Sequence, residues 1–252
     1  MDIAKTPVLV FTTGLVLLWL AARVGARLRR KPPTVNSDEG HDLDMIVTAS
    51  LTLLALIIGF SFSMAVTRYD QRKNYEAEEA NAIGTEYFRV GLLPPEQAKR
   101  ARELLRTYVA RRISFYTTGD RGQLEQINTS TAQLQSDLWS VVQEAAATQP
   151  TPVVALAVSG MNDVLNSQGY AQAAWWNHIP AAAWGLMAAI AIFSNLLVGY
   201  DTRQIGDQAR RLYVLPLIVS IAFFLISEMD SPRGGFVRVQ PQNLEHLALS
   251  VR

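Results

Sequence analysis

Residues 46–66 have the sequence IVTASLTLLALIIGFSFSMAV and are followed almost directly by RYDQRK at residues 68–73. A helix of about 20 apolar residues crosses a bilayer, so this stretch is long enough to span a membrane. No proline or glycine separates the apolar run from the charged one. A single helix can therefore leave the membrane and continue as an amphipathic helix. The pattern predicts an integral membrane protein.

Three further apolar segments have the length of membrane helices, at about Pro7–Arg27, Ile179–Tyr200 and Leu212–Ser227. We interpret the first as a retained helix, because a cleaved signal peptide would end in small neutral residues. Instead it ends in a basic cluster that reaches Lys31. The segment at Ile179–Tyr200 is rich in alanine and glycine, which allow helices to approach closely.

The residues between the second and third membrane segments have helical patterns throughout. The second membrane helix is predicted to continue toward Arg89, and apolar residues recur near helical spacing in three more pieces. These pieces are Pro94–Tyr116, a helix capped by Asp120 that ends near Ala147, and a helix capped by Thr151 that ends near Tyr170. The predicted fold is an all-α membrane protein with four transmembrane helices and a helical extramembrane domain inserted between the second and third.

This fold divides the chain into four predicted parts. They are residues 1–67 with membrane helices one and two, 68–172 with the helical domain, 173–228 with membrane helices three and four, and 229–252 as a polar tail. Trp175 and Trp176 precede the third membrane segment, and tryptophan is enriched at membrane interfaces. We expect this pair at the membrane boundary, with His178 as an interfacial residue.

Composition excludes several classes of function. The chain has no cysteine, which removes disulfides, thiolate catalysis and cysteine zinc sites. Its three histidines, His41, His178 and His246, are too far apart in sequence for a metal-binding motif, so no metal or cofactor is predicted. A formal net charge of +1 and the lack of a long basic tract give no indication of nucleic-acid binding.

The acidic residues of the charged helix raise the question of catalysis. Glu76 and Glu79 follow Arg72 and Lys73 at the spacing of helical neighbours, so we interpret them as solvated ion pairs. Glu78 and Glu86 lie on the same helix. A general acid–base pair would need a cleft, and no nucleotide-binding or nucleophile motif is present. The chain is not predicted to be an enzyme.

Two stretches resemble a known family. One is GFSFSMAVTRYD at residues 59–70, followed by EANAIGT at residues 79–85, and the other is LISEMDSPRGGFVRV at residues 225–239. Both resemble a bacterial, four-helix membrane family of unknown function described as bestrophin-like, and the resemblance covers the whole order of helices. The family-motif residues quoted from these stretches are Gly59, Tyr69, Asp70, Glu79, Gly84, Glu228, Asp230, Pro232 and Gly235.

The chain is more distantly similar to the bestrophins, which are pentameric anion channels. That similarity implies a homo-oligomer in the lipid bilayer, a pentamer if it is truly bestrophin-like, that passes inorganic anions through a pore lined by the second membrane helix. The pore-lining candidates are Thr52, Leu56 and Phe60, which recur at four-residue spacing on one helix face. Plain helix packing gives the same spacing and is the alternative interpretation.

The pore-mouth candidates are Arg68 and Asn81, although Arg68 could instead anchor the helix among lipid headgroups. Bestrophins under calcium control have a dense acidic cluster after the fourth helix. Here only Glu228, Asp230 and Glu245 are present, so no calcium site is predicted.

Two functions remain open from the sequence. The first is passive anion conduction by an oligomeric, bestrophin-like channel. The second is a non-conducting inner-membrane scaffold or sensor whose helical domain binds a partner. Lysine and arginine counts are nearly equal on the two sides of the membrane, so they do not fix the orientation. The resemblance implies a cytoplasmic helical domain, and we expect that orientation in the inner membrane.

Overall fold

The computed structural model describes residues 6–28, 37–201 and 208–251. Within these ranges the regular structure is helical and contains no strand. The elements are α1 (Pro7–Leu28), α2 (Ser37–Arg89), a 3₁₀ turn (Val90–Leu92), α3 (Pro95–Thr117), α4 (Arg121–Thr148), α5 (Pro152–Trp176), α6 (Ala181–Asp201), α7 (Gln208–Asp230) and α8 (Gln242–Ser250). The prediction of an all-α chain is confirmed for these residues.

Four helical ranges are long and apolar enough to cross a membrane. They are Pro7–Leu28, Asp42–Leu92, Pro152–Asp201 and Tyr213–Asp230. Each contains one of the four segments predicted from hydropathy, apart from the first residue of the fourth, which precedes its range. The apolar part of α2 and its charged part form one unbroken helix, as the absence of a stop signal predicted.

Two predicted helix starts are confirmed by their hydrogen bonds. The Asp120 carboxylate accepts a hydrogen bond from the backbone N–H of Gln123, with 3.0 Å between Oδ1 and N. The Thr151 hydroxyl accepts one from the backbone N–H of Val154 at 3.2 Å. Each satisfies a backbone donor that the first turn of a helix leaves without a partner.

The predicted end of α5 at Tyr170 is wrong, because the helix continues to Trp176. Trp175 is buried, and its ring centroid lies 5.1 Å from that of Phe115 and 5.4 Å from that of Tyr116. This aromatic packing holds the last turns of the helix and makes Trp175 a core residue, while the position of Trp175 and Trp176 at the membrane boundary stays a prediction. Helix α8 is a further difference, since the sequence pattern predicted only a polar tail there.

The structure divides into two compact units. Unit 1 takes the described residues of Met1–Tyr69 and His178–Val237, and unit 2 takes those of Asp70–Asn177 and Arg238–Arg252. Helix α2 contributes its apolar part to unit 1 and its charged part to unit 2. The division into four parts made from the sequence stays a prediction.

In unit 1, α1 packs against both α6 and α7. The contact with α6 brings backbones together, since a Cβ added to Gly25 would overlap the carbonyl oxygen of Leu196. A Cβ added to Gly199 would likewise overlap that of Ala22. One core cluster of buried apolar side chains draws on α1, α2, α6, α7 and the segment before α6, and it consists of Leu18, Leu54, Ala65, Ile179, Met187, Ala191, Val219, Phe223 and Ile226.

In unit 2, α3 packs against α4 and α8, and α4 packs against α5. The large side chains that are fully buried in these helices include Leu105, Phe115, Leu138 and Met161. The charged part of α2 adds Ile83 to this interior. It also adds the ionisable side chains of Arg72, Glu76, Glu79 and Glu86, which are buried as well.

Candidate functional site

Among the described residues of unit 1, one face of the apolar part of α2 is left exposed. Thr52, Leu56 and Phe60 are all exposed, with 54% of Leu56 and 66% of Phe60 accessible. The same helical spacing continues through Ser63 and Thr67, which are also exposed. We call these five residues the open stripe. The opposite side of α2 is buried at Leu54, Ser61 and Ala65.

The open stripe contains both apolar and hydroxyl side chains. The Thr52 hydroxyl donates to the carbonyl oxygen of Thr48 at 2.8 Å, and the Thr67 hydroxyl donates to that of Ser63 at 2.9 Å. These bonds lie within α2, so neither hydroxyl needs a second helix as a hydrogen-bond partner. The stripe is chemically suited to both water and apolar contacts.

The two mouth candidates have different surroundings. Arg68 is half-buried at the end of the stripe, and its guanidinium donates to the sulfur of Met64 at 3.7 Å. Asn81 is exposed in the charged part of α2. They are separated along one helix by about 20 Å, at 1.5 Å per residue, so they do not form a single site.

The solvated ion pairs predicted for the charged part of α2 are wrong. Glu79 is fully buried and pairs with the guanidinium of Arg112 from α3. Its second oxygen accepts from the Tyr116 hydroxyl at 3.0 Å and from Nη2 of Arg112 at 3.3 Å. Burial, with a further contribution from Glu79, raises the pKa of Tyr116 above its ordinary value. This phenol therefore remains a hydrogen-bond donor.

Arg72 and Glu76 are also buried, and each forms hydrogen bonds at one end of another helix. Arg72 donates to the carbonyl oxygens of Ala174 at 3.1 Å and Asn177 at 3.0 Å, where α5 ends. Glu76 accepts from the side-chain amide of Asn243 at 2.6 Å and from the backbone N–H of Leu244 at 3.0 Å, where α8 begins.

The sequence could not reveal these partners, because they lie between 33 and 168 residues away along the chain. Of the two adjacent acids Glu78 and Glu79, only Glu78 is exposed. Burial of its neighbour Glu79 could have been suspected from helical periodicity, since Arg72, Glu76, Glu79 and Ile83 fall on one face. The sequence pattern did not indicate that this face is buried, because charged residues are usually exposed.

A separate pair of acids organises the segment after α7 in unit 1. Glu228 is buried and accepts from the backbone N–H groups of Phe236 at 2.6 Å and Val237 at 3.2 Å. A Cβ added to Gly235 would overlap the Glu228 carboxylate, so a larger residue at this position would displace that carboxylate. The carboxylate thereby fixes the return of the chain after the helix.

Asp230 fixes the chain segment before α6 in the same way. Its two carboxylate oxygens lie 2.9 and 3.1 Å from the backbone nitrogen of Ile179, which donates to them. Nδ1 of His178 lies 3.0 Å from the Asp230 carbonyl oxygen. The carboxylates of Glu228 and Asp230 are therefore used by backbone donors. Within the described ranges, no group of three or more histidine, cysteine, aspartate or glutamate side chains is placed to hold a metal ion.

The residues that shape these two units belong to stretches shared with other proteins. The sequence model of the Bestrophin-like domain matches residues 8–244, which is nearly the whole chain. The chain belongs to the bestrophin-like family. With its four apolar helices, it is a multi-pass membrane protein. No curated protein sequence matches it.

Solved structures share the bestrophin-like fold over their whole length. A crystal structure of a single-residue variant of a bacterial bestrophin homologue from Klebsiella pneumoniae is 13% identical, with a TM-score of 0.65, and the match covers 96% of this chain and 98% of that one. A second variant of that homologue gives 13% identity, a TM-score of 0.63 and coverage of 96% and 93%. A structure of that homologue phased on zinc is 14% identical, with a TM-score of 0.62, and the match covers 95% of both chains.

The bestrophin-like stretches quoted above contain both structural and open positions. Glu79, Glu228, Asp230 and Gly235 are buried and tie segments together. Gly84 lies 3.1 Å, measured from an added Cβ, from a methyl group of Leu247 on α8. The remaining positions are less tightly packed. Gly59 has nothing within 4 Å of an added Cβ. Tyr69 and Pro232 are half-buried, and Asp70 is exposed.

Proposed function

We propose that this bestrophin-like chain assembles with copies of itself into a passive channel for inorganic anions in the bacterial inner membrane. Helix α2 lines the axis of that channel, with Leu56 and Phe60 at its narrowest part. A pentamer is the assembly that the similarity to bestrophins favours. Unit 2 lies on the cytoplasmic side in this proposal. Family membership and the four membrane-length helices support the proposal in outline.

The observation that carries the proposal is the open stripe of α2. A helix face that meets only lipid tails gains nothing from hydroxyl groups, yet Thr52, Ser63 and Thr67 share this face with Leu56 and Phe60. A water-filled path accommodates both kinds of side chain. Apolar rings in such a path can gate by excluding water, and hydroxyls on either side keep the rest of the path wet.

Arg68 supports the choice of anions. Its positive charge follows the open stripe along α2, one residue after Thr67, and a cationic ring at this level raises the local concentration of anions. Its contact with the Met64 sulfur holds the guanidinium against α2 rather than extended into solvent.

The scaffold function is favoured by a different observation. Unit 2 exposes large apolar side chains near the end of α2 and the start of α5, at Phe88, Leu92, Val153 and Leu156. Apolar side chains exposed together are typical of interaction surfaces. A scaffold that uses this surface would bind a partner without passing ions, so a flux measurement distinguishes the two functions.

The test is chloride flux from proteoliposomes that contain the purified protein. Phe60→Ala removes the largest side chain of the open stripe, so we expect chloride flux to rise several-fold above that of the wild type. Phe193→Ala is the matched control, because Phe193 on α6 is also 66% exposed and lies outside the stripe. It should leave the flux unchanged.

Two results would contradict the proposal. Absence of chloride flux from the wild type and from Phe60→Ala, with oligomers verified by crosslinking in the same vesicles, would favour the scaffold. An equal rise in Phe60→Ala and Phe193→Ala would show that α2 does not form the wall of the pathway.

A further inference from the structure

Glu86 differs from the other buried acids of α2. It lies in unit 2, in the charged part of the helix, and its side chain is fully buried. Among the described residues, neither of its carboxylate oxygens has a hydrogen-bond partner. Glu76 and Glu79 on the same helix each accept hydrogen bonds from neighbouring elements. A buried acid without partners is costly in its charged form, so Glu86 needs a separate explanation.

The carboxyl group of Glu86 packs against the backbone of a glycine instead of against a hydrogen-bond donor. A Cβ added to Gly160 on α5 would overlap Oε2 of Glu86. The same Cβ would lie 2.8 Å from Nη1 of Arg89, so the arginine side chain passes over the glycine as well. The α2–α5 contact therefore closes around the carboxyl group without offering it a donor.

The charges that act on Glu86 come from both helices. Arg89 on α2 lowers its pKa and Asp163 on α5 raises it. Those two residues face each other, with 3.8 Å between Nη1 and Oδ2, so the arginine is shared. Burial is the larger effect, and the net result raises the pKa of Glu86 to about 8.

Other elements near α2 direct their polar groups elsewhere. The 3₁₀ turn that packs against α5, Val90–Leu92, contains no titratable side chain. From α3, Arg112 and Tyr116 bind Glu79, and from α8, Asn243 binds Glu76. The field at Glu86 is thus set by burial, Arg89 and Asp163.

We propose that Glu86 is a pH-sensitive switch of the α2–α5 contact, neutral while the two helices are closed over Gly160 and separating them when it releases its proton to solvent. The closed contact tolerates a neutral carboxyl group better than a carboxylate, because burying a charge costs far more hydration free energy than burying a neutral polar group. A carboxylate there must gain water, since Arg89 is already shared with Asp163. Water can reach the fully buried group only if α5 moves away. The proposal concerns unit 2 alone and does not depend on ion conduction.

The sign of the pH effect follows from linkage. The ordinary pKa of this carboxyl group is 4.5, and the folded protein raises it to about 8. Between these two values the closed state binds more protons than an open state, so raising the pH favours opening. The stability of the contact is complete below the lower value and is lost as pH rises through the upper one. The α2–α5 contact is therefore expected to be closed at pH values below neutrality.

The test is amide hydrogen exchange of the full-length protein in detergent micelles at pH 6 and pH 9, corrected for the chemical exchange rate. Peptides from the first half of α5, around Gly160, report the contact. In the wild type we expect protection there to fall by at least about tenfold at the higher pH. Glu86→Gln, a neutral isostere, should keep its protection at both values. Glu78→Gln changes an exposed acid of the same helix and should behave as the wild type.

Equal loss of protection in the wild type and in Glu86→Gln would overturn the proposal, since another group would then control the opening. Failure of Glu86→Gln to fold at pH 6 would also overturn it, because the amide has the shape and neutrality of the protonated acid. Thermal unfolding provides the second measurement. The melting temperature of the wild type should fall relative to that of Glu86→Gln as pH rises from 5 to 9, and parallel curves would contradict the assignment.

Discussion

The two units of this bestrophin-like chain hold their helices together by opposite means. In unit 1, α1 and α6 approach until backbone meets backbone, because Gly25 and Gly199 have no side chain to keep them apart. In unit 2, long charged side chains from α2 reach into neighbouring helices, and Glu79 with Arg112 is completely buried. The first arrangement depends on shape and the second on exact polar pairing.

The difference is what we expect if unit 1 lies in lipid and unit 2 lies outside it. Helices within lipid gain no hydrophobic energy by meeting each other, so close packing at small residues has to hold them. Outside lipid, apolar burial drives association, and buried polar pairs then select one arrangement at a cost in desolvation. Unit 1 should therefore be sensitive to added volume, and unit 2 should be sensitive to removal of one charge from a pair.

The largest effect is expected where unit 2 loses one partner of its buried ion pair. Arg112→Leu leaves the Glu79 carboxylate with only the Tyr116 hydroxyl as a donor. Breaking a buried pair in this way costs about 3–5 kcal/mol, because an uncompensated charge remains inside. The denaturation midpoint of the purified protein in detergent measures the loss.

The matched control for that variant is Arg111→Leu. Arg111 precedes Arg112 on α3 and is exposed, so its replacement should change stability by less than about 0.5 kcal/mol. A double variant, Arg112→Leu with Glu79→Leu, should lose less than Arg112→Leu alone, since no charge is then left buried. Equal midpoints for the Arg111 and Arg112 variants would show that the buried pair contributes nothing.

The same contrast explains which parts of the fold were predictable from sequence. Local signals sufficed for the four apolar segments and for the helix starts at Asp120 and Thr151, because hydropathy and capping depend on neighbouring residues. The end of α5 was missed since Trp175 is held by Phe115 and Tyr116 of another helix. Buried acids were missed for the same reason, as their partners come from distant segments.

The candidate site was predictable to a different degree. Helical spacing alone groups Thr52, Leu56 and Phe60, and the structure adds that this face is exposed in the chain by itself. The sequence pattern could not show this, because a membrane helix is apolar on every side and periodicity does not distinguish a packed face from an open one. The role of these residues as a pore lining stays a prediction.

The next effect is expected where unit 1 gains volume. Gly199→Ala places a methyl group against the carbonyl oxygen of Ala22, so α1 and α6 must separate. Overpacking of this kind costs about 1–3 kcal/mol. Thermal unfolding in detergent should show a lower melting temperature, and crosslinks between α1 and α6 should form less readily.

Gly185→Ala provides the control on the same helix. Nothing lies within 4 Å of a Cβ added to Gly185, and the change also improves helix propensity. We expect its melting temperature to equal or exceed that of the wild type. If both variants lowered the melting temperature equally, the loss could not be assigned to the α1–α6 contact, and the contrast between the units would lose its basis in unit 1.

The smallest effect is expected at Glu228, which makes unit 1 a partial exception to the comparison. Here a buried acid does hold structure, but its partners are the backbone N–H groups of Phe236 and Val237 rather than a side chain of opposite charge. Glu228→Gln keeps an acceptor oxygen and loses the charge, and charge-assisted hydrogen bonds exceed neutral ones by about 1 kcal/mol. Glu245→Gln, an exposed acid of α8, is the control and should leave the denaturation midpoint unchanged. A loss at Glu228 as large as that of Arg112→Leu would show that unit 1, too, depends on a buried charge, and that the two units differ in degree rather than in kind.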